Sequence, residues 1–252
     1  MAKQLKVIAI VQARMSSSRL PGKVLMPLGD LPVIYHVTRR SERANLVDKV
    51  VVATSTLPDD DEIYAWCENN RVSCFRGSLD DVLGRYYGAS QAFDCDAVVR
   101  ITADCPVIDP TIIDELINFH AAGNYDYSSL SGEYPDGLDC CIFSKEALAS
   151  SHVNATHQYE REHVGPYIES NPDKYKIGKF NKFTGLEHHR WTLDEPEDLE
   201  FLSKIFDMLM PKNIFFDHQD ILNLLNEYPM LLKINNGIIR NQGLIDSLKN
   251  EK

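Results

Sequence analysis

Arg14, Arg19 and Lys23 fall within ten residues of one another, in a stretch that also holds Ser16, Ser17, Ser18 and Gly22. Two guanidinium forks and an ammonium can surround a polyphosphate from several sides, with hydroxyls and backbone N–H groups filling the gaps. The stretch has neither the GxxxxGK[ST] nor the GxGxxG pattern, so phosphate is expected here without a P-loop or a dinucleotide fold. A solvated basic loop joining a strand to a helix would carry the same residue types. The rest of the chain is acidic, with a formal net charge of -11, which makes clustered cations at a strand end harder to read as mere solvation.

Two aspartates are the other candidates for chemistry. Asp104 follows the apolar run AVVRIT, so it stands just beyond a buried strand. Mg²⁺ prefers hard oxygen ligands and commonly binds through one or two carboxylates plus phosphate and water, which suits Asp104, although an aspartate before a turn is also ordinary loop chemistry. Asp194 stands two residues before Pro196 in RWTLDEPEDLEFL and can point back across a cleft. Its neighbours Glu195, Glu197 and Asp198 are explained by the dipole of the helix that Pro196 begins. Asp104 and Asp194 are far apart in sequence, but both fall at expected strand ends and are expected to converge.

The elements that must position these groups are legible from apolar runs. Residues 5–11, 48–55, 72–75 and 97–102 read as strands rich in Val, Ile and Ala. Between them lie helical patterns: one starting near Asp30 or Leu31 with Pro32 in its first turn, one over 59–69 charged at its start by Asp59, Asp60 and Asp61, and one capped by Ser78 with Val82, Leu83 and Tyr86 on its inner side. A further helix begins at Pro110 and Thr111 and is ended by Gly123. This alternation predicts an α/β fold with a mostly parallel, doubly wound, Rossmann-like sheet, whose ligands bind at the carboxyl ends of the strands. The rhythm breaks at residue 125: DYSSL and YPDGLDCCIFS read as strands, with Gly137 marking a turn between Asp136 and Asp139. Residues 155–171 read as a helix kinked or divided at Gly165 and Pro166, 176–180 as an edge strand, 191–193 as extended, and HQDILNLLNEYP as an amphipathic helix. No linker or repeat divides the chain, so one domain over 1–252 is expected, with 125–185 as an extension. Arg240 and Asn241 in the tail are candidates to close over the site or to pack on a second subunit.

Composition bounds the function. At 252 residues, 44% hydrophobic and 25% charged, the chain suits a globular protein with a substantial core. Its acidity argues against a nucleic-acid partner, though an anionic small substrate remains compatible with a local cationic site. The six cysteines show no CxxC spacing and read as free thiols. With no signal-peptide pattern and no apolar run long enough to span a bilayer, no membrane insertion and a cytoplasmic setting are expected.

VQARMSSSRLPGKVL resembles the amino-terminal motif of the acidic-sugar cytidylyltransferases, the makers of CMP-sialate and CMP-keto-deoxy-octulosonate, and most of all their spore coat polysaccharide biosynthesis branch. RITADCPVIDP, EREHVGPYI and RWTLDEPEDLEFL resemble further blocks of that family. The resemblance implies a Mg²⁺-dependent transfer of CMP from CTP to a small sugar acid with release of pyrophosphate, in a homodimer. It implies that Ala13, Arg14, Ser16, Arg19 and Lys23 meet the nucleotide phosphates, and that Arg76, Ser78 and Asp81 lie beside base or ribose, where Asp81 could equally be structural. Asp104 and Asp194 are implied as metal ligands, and these two with Arg14 and Lys23 as the catalytic set. Arg100 is implied at nucleotide or sugar. Tyr134, Asp136, Asp139, Arg161 and His163 are implied at the acceptor, in an extension over 125–185 that also serves dimerisation. The residues themselves leave three alternatives: a nucleotidyltransferase acting on a sugar or polyol phosphate, a nucleotide-sugar glycosyltransferase (for which ADCP stands where a DxD pair is usual), and a non-catalytic nucleotide-binding protein.

Overall fold

Val7, Ala9 and Val11 face one apolar core and Ile8 and Ile10 face another, so the first strand, β1 (Val7–Gln12), is covered on both sides. That is the situation of a central strand in a parallel sheet, and it explains the unbroken apolar run. The computed structural model describes residues 5–240 and 242–250. After β1 come a short hairpin of β2 (Pro27–Leu28) and β3 (Leu31–Pro32), α1 (Val33–Glu42), β4 (Lys49–Ser55), α2 (Asp61–Asn70), β5 (Ser73–Gly77), α3 (Val82–Ala92), β6 (Ala97–Thr102) and α4 (Pro110–Gly123). Then follow β7 (Tyr127–Ser131), β8 (Cys141–Ser144), α5 (Lys145–Asn154), α6 (Gln158–His163), α7 (Pro166–Glu169), β9 (Ile177–Asn181), α8 (Pro196–Leu209), α9 (His218–Glu227) and α10 (Gln242–Asn250).

Seven strands form one sheet in the order β5-β4-β1-β6-β8-β7-β9. β8 pairs antiparallel with both β6 and β7, and every other pairing in this sheet is parallel. The mostly parallel, doubly wound α/β fold is therefore present, and the strands of 125–185 are the far half of its sheet.

Several local expectations change. The first helix starts at Val33, because residues 27–32 turn back on themselves as a hairpin and Pro32 becomes the residue before the helix. Asp81, rather than Ser78, caps α3, accepting a hydrogen bond from the Gly84 N–H at 2.8 Å. Of residues 134–144 only Cys141–Ser144 is strand, since Gly137 takes φ +104° and bends the preceding segment away from the sheet. Residues 155–171 divide into α6 and α7 at Val164 and Gly165, as Gly165 and Pro166 suggest. All six cysteines are free, and among the described residues no helix is long and apolar enough to cross a membrane. Asn241 lies outside the described residues.

Candidate functional site

After β1 the chain moves outward to β4 and β5, then returns to β6 on the opposite side of β1. The strand order thus reverses between β1 and β6, and a crevice opens beyond their carboxyl ends, where doubly wound sheets take ligands. Gln12 and Thr102 are paired in register, so the cationic loop and the segment bearing Asp104 leave the sheet side by side. The loop is anchored before it turns. Ala13 N–H donates to the Ala53 carbonyl at 3.0 Å, and the buried Asp60 carboxylate accepts from Met15 N–H at 2.7 Å and Ser55 N–H at 3.0 Å. One member of the acidic trio therefore ties the loop to β4. Gly22, at φ +73°, donates to the Met15 carbonyl at 2.9 Å, and this left-handed turn sends Lys23 inward.

Lys23 is only 7% exposed. Its Nζ donates to Asp104 Oδ2 at 2.8 Å, Asp194 Oδ1 at 2.7 Å and the Leu193 carbonyl at 2.8 Å. An ammonium has three N–H groups, and all three are taken. Burial would lower the Lys23 pKa, but the two aspartates outweigh it and hold the ammonium above its ordinary 10.5. Burial likewise opposes ionisation of Asp104, yet Lys23 holds that carboxyl down at about 2. The two aspartates thus meet on one cation. Arg19 joins them from the loop, 3.1 Å from Asp194 and 3.1 Å from Glu195.

Asp194 reaches this point because residues 189–193 are pinned across the crevice without joining the sheet. Leu193 N–H donates to the Asp104 carbonyl at 2.8 Å and the Thr192 hydroxyl to the same oxygen at 3.2 Å. Trp191 N–H donates to the Asp136 carbonyl at 2.6 Å, and Asp136 N–H to the His189 carbonyl at 3.0 Å. A Cβ on Gly137 would stand 2.5 Å from the Trp191 carbonyl carbon, so glycine is needed for this approach as well as for its φ. Beneath the segment Arg190 grips the fully buried Asp198 with two bonds of 2.8 Å, Asp136 at 2.9 Å and Asp194 at 3.4 Å. Burial and the neighbouring Asp139 push Asp136 up to about 7 against the opposing pull of Arg240 and Arg190.

These groups border a cavity of about 640 Å³. Of the residues expected from sequence, Ala13, Arg14, Arg19, Lys23, Arg100, Asp104, Asp136, Asp139, His163 and Asp194 line it. Ser16 is exposed on the loop and does not. Arg76 is turned away, bound to the Ser55 and Leu57 carbonyls and to Asp61. Ser78 gives only its carbonyl, to Arg85 at 2.5 Å, and Asp81 is held bidentately by Arg161 at 2.9 and 2.7 Å. That same bond removes Arg161 from the acceptor side, where two further bonds to the His152 and Ala155 carbonyls make it a latch between α3 and the turn after α5. Tyr134 directs its hydroxyl to Asp139 at 2.7 Å and lies under the Arg240 guanidinium, outside the lining. His163 is half-buried; burial lowers its pKa, Glu162 opposes this, and Arg100 and Arg14 add to it. Of the tail, Gln242, Gly243 and Leu244 line the cavity, whereas Arg240 is outside that lining and donates to the Tyr134 carbonyl at 2.9 Å and Asp139 at 3.1 Å.

Sequence reasoning missed Gln12, Thr102, Thr192, Glu162 and Glu169, which also line the cavity. A signal for part of this set was present. Residues 100–104 read RITAD and residues 190–194 read RWTLD, so Arg, Thr and Asp recur at alternate positions before each site aspartate. In extended chain that period of two places all three on one face.

The pair Asp104 and Asp194 offers two hard oxygen donors already gathered on a cation, which fits Mg²⁺, a metal content with two carboxylates when phosphate and water complete its shell. Among the described residues no third His, Cys, Asp or Glu joins them in a metal-holding cluster, so the protein supplies no closed cage.

The chain matches the family description "Cytidylyltransferase" over residues 8–225. It is 32% identical over 212 residues to the spore coat polysaccharide biosynthesis protein SpsF of Bacillus subtilis, covering 79% of this chain and 86% of that one. A 3-deoxy-manno-octulosonate cytidylyltransferase of Geotalea daltonii is 34% identical over 116 residues, 45% of this chain and 44% of its own. Among solved structures, a cytidylyltransferase from Leptospira borgpetersenii superposes with a TM-score of 0.85 at 31% identity, covering 90% of this chain and 97% of that one.

Proposed function

The chain belongs to the cytidylyltransferase family, and from that premise we propose that it transfers CMP from CTP to a sugar acid with release of pyrophosphate, for surface polysaccharide synthesis. The observation that carries the reading is the meeting of Asp104, Asp194 and Lys23 at the switch crevice, beside a loop that presents Arg14 and Arg19. The partial likeness to a 3-deoxy-manno-octulosonate enzyme supports an acidic acceptor, and the likeness to a spore coat protein supports the polysaccharide setting.

In this reaction an acceptor hydroxyl oxygen forms a bond to the α-phosphorus in line. The bond from that phosphorus to the bridging oxygen breaks, pyrophosphate departs with the electron pair, and the hydroxyl proton passes to water. Arg14, Arg19 and Lys23 offset the charge that grows on the leaving group. Asp104 and Asp194 would hold Mg²⁺, which supplies charge neutralisation at the α-phosphate when bound. In the free enzyme Lys23 keeps the two carboxylates aligned. Arg190, bonded to Asp198 and Asp136, holds the segment that carries Asp194.

A pyrophosphate-release assay tests this, with each of the four nucleoside triphosphates against octulosonic, sialic, legionaminic and pseudaminic acids and a set of sugar phosphates. Turnover with CTP and an acid is expected. Turnover confined to another nucleotide and a sugar phosphate would refute the reading. Asp104→Asn and Asp194→Asn should each lower turnover by roughly 100-fold and weaken its dependence on Mg²⁺; full activity in both variants rejects the metal assignment.

A further inference from the structure

The family match ends at residue 225, yet the chain beyond it helps to wall the crevice. Asn235 is the last described residue of this tail to be buried. Its side-chain amide donates to the Arg190 carbonyl at 3.0 Å and to Asp198 at 2.9 Å, which fixes the chain to the network that carries Asp194. Asn236 and Gly237 are exposed, and among the described residues from 236 to 250 none is buried. Arg240 then donates to the Tyr134 carbonyl and to Asp139, with its guanidinium 4.2 Å from the centre of the Tyr134 ring. Beyond it α10 packs on α6, where the Ser247 hydroxyl stands 3.1 Å from the Glu162 carboxylate and 3.2 Å from His163 Nε2. Between these contacts the first turn of α10, from Gln242 to Leu244, lines the cavity.

A segment opens locally at low cost where it buries little apolar surface and its ties to the rest of the fold are polar and reached by water. The described part of the tail beyond Asn235 meets that description, since Arg240 and Ser247 are both partly exposed. Such ties stand on either side of the turn that faces the cavity. Their partners matter as much as their strength: Asp139, Glu162 and His163 line the cavity themselves, so the tail is bonded to the walls of the site. In the closed position the positive end of the α10 dipole faces a cavity that takes a triphosphate, so a bound nucleotide favours closure.

Cytidylyl transfer has a standing competitor in water, which is far more concentrated than any sugar. If a water oxygen bonds to the α-phosphorus, the bond to the bridging oxygen breaks, pyrophosphate leaves with the electron pair and a proton passes to solvent. CTP is then spent as CMP. A lid that excludes solvent leaves the sugar hydroxyl as the nucleophile that meets the phosphorus. We propose that Arg240 and α10 form a lid over the bound nucleotide, and that Arg240, through its hold on Tyr134 and Asp139, is the positioning residue that decides between sugar and water as acceptor. The inference rests on the proposed cytidylyl transfer and adds the element that protects it from hydrolysis.

The test has two arms. In the first, hydrogen exchange in α10 is followed with and without a CTP analogue whose α,β-bridging oxygen is replaced by a methylene group, so that pyrophosphate cannot leave. The analogue should slow exchange in wild-type α10 by about tenfold, the worth of one charge-assisted hydrogen bond, and should slow it far less in Arg240→Gln. In the second, the enzyme is given CTP, Mg²⁺ and whichever of octulosonic, sialic, legionaminic and pseudaminic acids wild type uses fastest, and CMP and CMP-sugar are counted separately. The ratio of CMP to CMP-sugar should rise about tenfold in Arg240→Gln, and further when the chain is ended after Asn236. Arg240→Lys, which keeps the charge and loses the fork, should fall between wild type and Arg240→Gln, and these two variants keep the test decisive if the shortened chain does not fold. A merely structural Arg240 would lower both products together and leave their ratio unchanged. That result overturns the inference, as does α10 exchange that ignores the nucleotide analogue. Wild-type enzyme that makes no CMP-sugar from any of the acids refutes the proposed function; the lid then stands or falls on the exchange arm, run with the cytidine analogue and its uridine counterpart.

Discussion

Replacing Lys23 with methionine keeps much of the side chain's volume and removes one charge from between two carboxylates. The cost can be worked from its contacts. Lys23 makes two charge-assisted bonds, at 2.8 and 2.7 Å, and one bond to a carbonyl, and it is 7% exposed. Removing one partner from a buried ion pair typically costs about 3–5 kcal/mol, mostly through the charge left behind. Asp194 would still have Arg19 at 3.1 Å and Arg190 at 3.4 Å, so the bereft group is Asp104. The expected loss therefore lies at the lower end, about 3 kcal/mol. Urea unfolding in EDTA-containing buffer measures it, and the double variant Lys23→Met/Asp104→Asn should recover about 2 kcal/mol, because the stranded charge is gone. The pH dependence gives a second check. The Asp104 carboxyl is held at about 2, below its ordinary 3.8, so its contribution is present above about pH 4 and is lost as pH falls through 2. Without Lys23 the carboxyl titrates higher, and this part of the acid limb should disappear. A single variant that loses less than about 1 kcal/mol, or a double variant whose effects simply add, would show that the ammonium does not hold the carboxylates together.

Arg161→Ala should lower stability by about 2 kcal/mol through loss of its bidentate bond to Asp81 while leaving the acceptor KM unchanged; a large rise in acceptor KM at unchanged stability would return Arg161 to the sugar. Gly137→Ala should be strongly destabilising, by about 3 kcal/mol or more, and should depress turnover, since it drives a methyl into the Trp191 backbone at a φ of +104°; thermal melting and CMP-sugar formation read the two effects. His36, His120 and His189 are buried and held neutral, with pKa values lowered to about 4 by burial. Their contribution is present above pH 6.5 and is lost as pH falls from 6.5 towards 4, because the unfolded chain takes up the protons first. His120→Gln, which can keep the bond to the Ser128 hydroxyl, should flatten that part of the stability profile.

Local sequence was sufficient wherever one element sets its own environment. The run from Val7 to Gln12 declares a strand buried on both faces, and four such runs alternating with helices leave few topologies besides a parallel doubly wound sheet. A cationic loop at the first strand's end and Asp104 at the fourth's then place the crevice, because β1 and β6 must flank the reversal of strand order. The same logic fails where a side chain's partner is remote in sequence. Arg76 and Arg161 have the residue type that binds anions, but Asp61 and Asp81 take them first, and nothing within a few residues of either arginine announces those bonds.

The converse holds for Asp194. Its neighbourhood reads as a helix start, and only the pinning of residues 189–193 across the crevice, through Gly137 and the Arg190 network, brings its carboxylate to 2.7 Å from the Lys23 ammonium. Sequence alone determined the fold class, the place of the cationic loop at the first strand's end and the family likeness, since these follow from patterns a few residues long. Tertiary structure decided which charges are neutralised by the protein and which remain for a ligand. Charge pairing acts over distances of about 3–4 Å in space, whatever the separation along the chain. Arg190 and Arg100 carry the same sequence signature, yet the fold sets Arg190 against three carboxylates and leaves the Arg100 Nε without a hydrogen-bond partner among the described residues.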